Sequence, residues 1–77
     1  MNEKKFIDLI KKSLNERDQN FTIETKLNEI KKWDSLASVR VLLDLNKIFK
    51  KKSEISEIAN FKSLKELYKY FNKNIND

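Results

Sequence analysis

A chain of 77 residues, 38% charged and 39% hydrophobic with a formal charge of +5, has room for one small core over residues 1–77. It contains neither cysteine nor histidine, which excludes disulfides, thiolate metal sites, a Ser-His-Asp arrangement and the commonest metal ligand. No pair of carboxylates or lysines stands out as catalytic, so a domain that is not an enzyme and holds no metal is expected.

The first predicted helix runs from about Glu3 to Asn15. Phe6, Leu9, Ile10 and Leu14 form one apolar face with Ile7 at its margin, while Lys4, Lys5, Asp8, Lys11 and Lys12 lie mainly outside it. Asn15 suits the exit, since asparagine tolerates the left-handed conformation. Residues 16–34 make a connection far longer than the usual ~4–6 residues. Phe21, Ile23, Leu27 and Ile30 would pin it to apolar surface, so an ordered loop is expected, with a short helical turn around Thr25 to Ile30. Trp33 either packs this loop against the next helix or stacks on a ligand, and packing is the commoner use of an aromatic ring.

Helix two is predicted over about Ser35 to Lys50. On a wheel of about 100° per residue, Ala37, Arg40, Asp44 and Lys47 share one narrow sector. Leu36, Val39, Val41, Leu42, Leu43, Leu45, Ile48 and Phe49 fill most of the rest. Such a helix is expected to be mostly buried, at the centre of the fold or against a partner. Asp34 is a favoured N-cap type. That puts Ser35 at the first helical position, near the positive end of the helix dipole, where a phosphate would be well held. Lys50-Lys51-Lys52 near the other end reads as a solvated, dipole-complementing terminus or, less simply, as a nucleic-acid clamp.

A brief helical segment around Glu54 to Ala59 would turn Ile55 and Ile58 inward, with Ser53 or Ser56 as its cap. Ser63-Leu64-Lys65-Glu66 fits a capping box opening the last helix. Leu64, Leu67, Tyr68, Phe71 and Ile75 follow at helical spacing as a core stripe, and Asn72 to Asp77 is expected to fray. Without glycine or proline, turns fall to Asn, Asp, Ser or Lys, and strand signals are absent. The expected fold class is all-α: a small bundle of three main helices plus one short helix, with a long ordered loop between helices one and two.

The 17 basic residues are interleaved with 12 acids, and only Arg17 and Arg40 are arginines, the type favoured for reading base edges and gripping phosphates. No nucleic-acid partner is therefore expected. No apolar run approaches the ~18 residues of a membrane span, and Met1 to Lys5 leads straight into helix one without a signal-peptide core. A soluble cytoplasmic monomer is the expectation.

Leu27-x-x-Ile30-x-x-Trp33-Asp34-Ser35-Leu36-Ala37, followed by Val39, Leu42-Leu43 and Phe49, resembles the carrier-protein family typified by acyl carrier proteins. Phe61-Lys62-Ser63-Leu64-x-x-Leu67 is similar to that family's entry into its last helix. The likeness covers roughly residues 5–72. Asp-Ser-Leu alone is weak, because a tripeptide recurs by chance; the apolar spacing after it, the long loop before it and the total length make it specific. The resemblance implies that Ser35 carries 4'-phosphopantetheine, transferred from coenzyme A by a separate phosphopantetheinyl transferase. An acyl or aminoacyl cargo would ride as a thioester on the arm's thiol. A loading ligase and a downstream acyltransferase or synthase are the further implied partners, in fatty-acid or specialised-metabolite biosynthesis. Asp34 would cap the helix and also help the transferase hold its metal ion, and Leu36 would contact partners beside the arm or simply pack in the core.

The residues themselves agree: a chain without a thiol needs an imported one for thioester chemistry, and hard chemistry then belongs to cofactor and partners. Outside this pattern Ser35 would be a plain surface serine. One departure matters. Typical members are acidic along helix two and meet basic patches on fatty-acid enzymes, whereas Ala37, Arg40, Asn46 and Lys47 stand here. Like charges disfavour such binding, so Arg40 and Lys47 point to dedicated partners and a stand-alone, specialised carrier. Two other classes stay open. A small basic module on nucleic acid would explain the charge but not the Trp-Asp-Ser-Leu pattern, and a helical adaptor docking through helix two would need no particular residue at 35.

Overall fold

Helix ends made without glycine set the frame of this molecule. The computed structural model describes residues 1–17 and 20–73. Four α-helices, α1 (Glu3–Leu14), α2 (Ser35–Phe49), α3 (Ile55–Ile58) and α4 (Leu64–Asn72), and one 3-10 turn (Leu27–Glu29) follow in chain order. Among the described residues there is no strand, only an isolated antiparallel bridge between Lys26 and Ser63. The chain is mostly helical, and its class is all-α.

α1 begins at Asn2, whose side chain accepts from the Lys5 N–H (2.8 Å), and ends at Asn15 in the left-handed conformation, φ 55°. There the Asn15 and Glu16 N–H groups return to the Lys12 and Lys11 carbonyls (3.1 and 2.8 Å), closing a Schellman motif. α2 ends the same way at Lys50, φ 56°, with the Lys51 N–H on the Asn46 carbonyl at 2.9 Å. Asparagine suits this geometry. A lysine there bears a Cβ penalty of about 1 kcal/mol that the packing around it must offset.

The core is drawn from every element: Phe6, Ile10 and Leu14 of α1, Val41, Leu42 and Leu45 of α2, Ile58 of α3, and Leu64, Leu67 and Phe71 of α4. Phe21, Leu27 and Ile30 from the long loop complete it, which is why that segment is ordered. Two backbone bonds fasten the loop to the entry of α4: Leu27 N–H to the Lys62 carbonyl (2.8 Å) and Leu64 N–H to the Thr25 carbonyl (3.0 Å). The 3-10 turn falls inside the span expected to be helical, and Trp33 is half-buried against the core, in its packing role.

The structure corrects several side-chain expectations. α2 is not mostly buried: Leu36 is 79% exposed and Leu43 61%, with Val39 and Ile48 also exposed. Ala37, grouped by the wheel with Arg40, Asp44 and Lys47, lies in the core instead. Neighbouring elements cover only one side of α2, so apolar residues outnumber the covered positions, and Ala37 falls on the covered side. In α3, Ile58 is buried but Ile55 is exposed, because a single turn at the rim covers only part of its apolar surface.

Neither Ser53 nor Ser56 caps α3. Glu54 is the N-cap and its N–H is satisfied by Glu57 Oε2 (3.1 Å), while the buried Ser53 shares a hydrogen bond with the Tyr70 hydroxyl (2.9 Å). Ser63 does cap α4, its hydroxyl accepting from the Glu66 N–H at 3.4 Å, the serine half of the expected box. Lys51 is not simply solvated: its ammonium stands 3.9 Å from the Tyr70 ring centroid. Asn72, expected to fray, is helical, its amide donating to the Tyr68 carbonyl (2.9 Å). Ile75 and the rest of that expected frayed end, from residue 74 on, lie outside the described residues.

Candidate functional site

The entry to α2 is shaped by Asp34. Its backbone is extended (φ −138°, ψ −172°), one carboxylate oxygen accepts from the Ala37 N–H (2.8 Å), and its carbonyl accepts from the Ser38 N–H (2.9 Å). This is N-capping as expected from residue type. It satisfies two of the first-turn donors and leaves the Ser35 and Leu36 N–H groups without an acceptor among the described residues. Ser38 turns its hydroxyl back onto the Ser35 carbonyl (2.8 Å). The Ser35 hydroxyl itself is exposed and makes no hydrogen bond among the described residues. It is therefore accessible, and no part of the fold depends on it.

Chemically, no side chain among the described residues is hydrogen-bonded to this hydroxyl to activate it. No histidine exists in the chain, and the nearest carboxylate in sequence, Asp34, is engaged by the Ala37 amide. Activation must come from outside. What the site offers is a free hydroxyl, two free amide donors and the positive end of a 15-residue helix, a combination suited to a phosphate ester.

Two surfaces adjoin Ser35. The first is the exposed stripe of α2. Leu36, Arg40, Leu43 and Lys47 recur at i, i+4, i+7 and i+11, so three of the residues expected to meet partners share one face. Asp34 is not on it; its carboxylate is turned into the cap. Leu43 and Val39 were missed as surface residues, although their spacing from Leu36 carried the signal. Asp44 accepts a hydrogen bond from the Ser13 hydroxyl of α1.

The second surface is an open groove of about 860 Å³ that includes Ser35 and runs toward α3. Trp33, Ser38, Val39, Ile55 and Phe61 line it, together with Lys26 and Lys62. Sequence reading did not find it, because its walls come from three segments that meet only in the folded core and at the Lys26–Ser63 bridge. Perturbed titrating groups lie elsewhere, on α3 and α4. Glu57 is held below the ordinary carboxylate value, first by the Tyr70 hydroxyl donating to it (2.7 Å) and then by the Glu54 N–H. Tyr70 is pushed up, chiefly because burial disfavours its phenolate.

Among the described residues no group of three or more carboxylates is placed to hold a metal ion, and no helix is long and apolar enough to cross a membrane. No protein-family model, curated protein or solved structure matches the chain.

Proposed function

We propose that this chain is a stand-alone carrier protein whose Ser35 hydroxyl receives 4'-phosphopantetheine from coenzyme A and whose acyl or aminoacyl cargo is presented to partner enzymes. One observation carries the reading: an exposed hydroxyl with no structural duty, at the first position of a long helix, beside two unpaired amide donors. The residues fit the group. The Ser35 and Leu36 N–H groups have no acceptor among the described residues and are free to donate to a phosphodiester, while the Asp34 carboxylate accepts from the Ala37 N–H as the helix cap. When bound, the arm supplies the terminal thiol that a chain without cysteine lacks.

In the attachment step the Ser35 oxygen bonds to the pantetheine-side phosphorus as the pyrophosphate linkage of coenzyme A breaks and adenosine 3',5'-bisphosphate leaves. The serine proton passes to a base of the transferase, since this chain places none beside it. The exposed stripe of Leu36, Arg40, Leu43 and Lys47 gives partners an apolar contact with cationic flanks, so loading ligase, transferase and downstream synthase or acyltransferase would meet it with apolar, acidic-rimmed surfaces. The same stripe also suits an adaptor that docks through α2 with no modification at all.

Incubation with coenzyme A and a broad-range phosphopantetheinyl transferase, followed by intact-protein mass measurement, tests the carrier reading. The wild type is expected to gain one phosphopantetheinyl group and Ser35→Ala none, with unchanged thermal stability in the variant. A wild type that keeps its bare polypeptide mass removes the carrier reading and leaves the adaptor.

A further inference from the structure

We infer that the groove beside Ser35 receives a cargo ending in a carboxylate, a half-thioester of a dicarboxylic acid, in preference to an aminoacyl or plain alkyl group. This rests on the carrier reading and narrows the cargo class. The groove includes Ser35 itself, so a group tethered there reaches it without leaving the surface, and about 860 Å³ is within the size range of small-molecule sites.

Charge decides the class. The Lys26–Ser63 bridge, made by Leu27 N–H to the Lys62 carbonyl and Leu64 N–H to the Thr25 carbonyl, sets Lys26 and Lys62 on neighbouring backbone. Both line the groove, and no carboxylate does. Of the acids flanking Lys26, Glu24 pairs with Lys65 (3.5 Å) and Glu29 turns a carboxylate oxygen onto the Lys26 backbone N–H (3.1 Å).

Some lysines are engaged elsewhere: Lys65 pairs with Glu24 (3.5 Å), Lys32 donates to the Asn15 carbonyl (2.6 Å), and Lys51 lies over Tyr70. The Lys26 and Lys62 ammonium groups have no ion-pair or hydrogen-bond partner among the described residues. Val39, Ile55 and Phe61 supply apolar walls for an alkyl segment, and Val39 and Ile55 are otherwise left 42% and 41% exposed. A cargo with an apolar middle and an anionic end matches both features. An aminoacyl group would bring a third ammonium to the two already there, and like charges in proximity disfavour binding.

The test loads Ser35 from three coenzyme A thioesters through the same transferase: a four-carbon diacid, its methyl ester, and the uncharged four-carbon chain. The diacid form is expected to melt roughly 2–5 °C above the other two at low salt, a margin that shrinks at high salt. Its amide NMR shifts at Lys26, Val39 and Lys62 should also differ from those of the ester. Lys26→Glu/Lys62→Glu, changed at exposed positions, should still accept the arm and lose the margin, and Lys26→Gln/Lys62→Gln should lose it without reversed charge. A loaded protein that melts and resonates alike with diacid and ester overturns this inference alone. A Ser35 that takes no arm overturns the carrier reading and this inference with it.

Discussion

The two ends of α2 are built on opposite principles. At its C-terminal end polar groups satisfy one another. The Asn46 amide donates to the Ser53 carbonyl (2.9 Å) and accepts from the Ser53 N–H (3.1 Å), the Ser53 hydroxyl meets Tyr70, Tyr70 donates to Glu57, and Lys51 covers the ring. The Phe49–Phe71 and Tyr70–Phe71 ring pairs, with centroids 5.5 and 5.1 Å apart, pack beside this network. At the N-terminal mouth one carboxylate makes the cap, and a hydroxyl, two amides and a leucine face outward. A saturated end fixes α2 against α3 and α4. An unsaturated end leaves a hydroxyl and two amide donors open at the surface.

Breaking the closed end should have the largest effect on stability. Asn46→Ala strands the part-buried Ser53 N–H and carbonyl together, and a loss of about 1–3 kcal/mol is expected by denaturant unfolding. Such a variant should still be modified at Ser35 wherever it remains folded. If it proves as stable as the wild type, the contrast between the two ends disappears.

A smaller effect sharpens the comparison through pH. Glu57 is held below its ordinary value of 4.5, so folding favours its ionised form. Its contribution is present above that value and fades as pH falls through the lower, folded one. Tyr70 is raised above 10.0, so its neutral form is favoured, and that contribution is full below 10.0 and lost as pH rises through the folded value. Tyr70→Phe should lower stability at neutral pH and flatten both limbs of the stability–pH curve, read from thermal melts across the range. An unaltered acid limb in the variant would deny that Tyr70 holds Glu57.

The smallest change is expected at the open end. Leu36→Ser, at a side chain 79% exposed, should leave stability within about 0.5 kcal/mol of the wild type. A loss of 2 kcal/mol or more would restore the buried position that hydropathy alone assigns to Leu36.

Much of the fold was legible because it is written locally. The 3.6-residue spacing of Phe6, Ile10 and Leu14, the residue types at Asp34 and Ser63, and the tolerance of Asn15 for positive φ each act within a few residues of the chain. Ser35 was legible as the first residue of a helix for the same reason: its position depends only on the cap before it. The misread residues share a different property. Whether Leu36 or Ala37 faces the core depends on where α1 and α4 lie, and a wheel that counts apolar residues has no term for neighbours.

What the sequence by itself determined, then, is the set of helices, the caps at Asn15, Asp34 and Ser63 and a serine at a helix mouth, all governed by short-range backbone geometry. Tertiary structure alone decided which side of α2 is covered, which polar groups saturate one another around Ser53, and that Lys26 and Lys62 line one groove with Ser35. Those outcomes arise from segments far apart in the chain meeting through a bridge and a shared core, and their energies exist only once the segments have met.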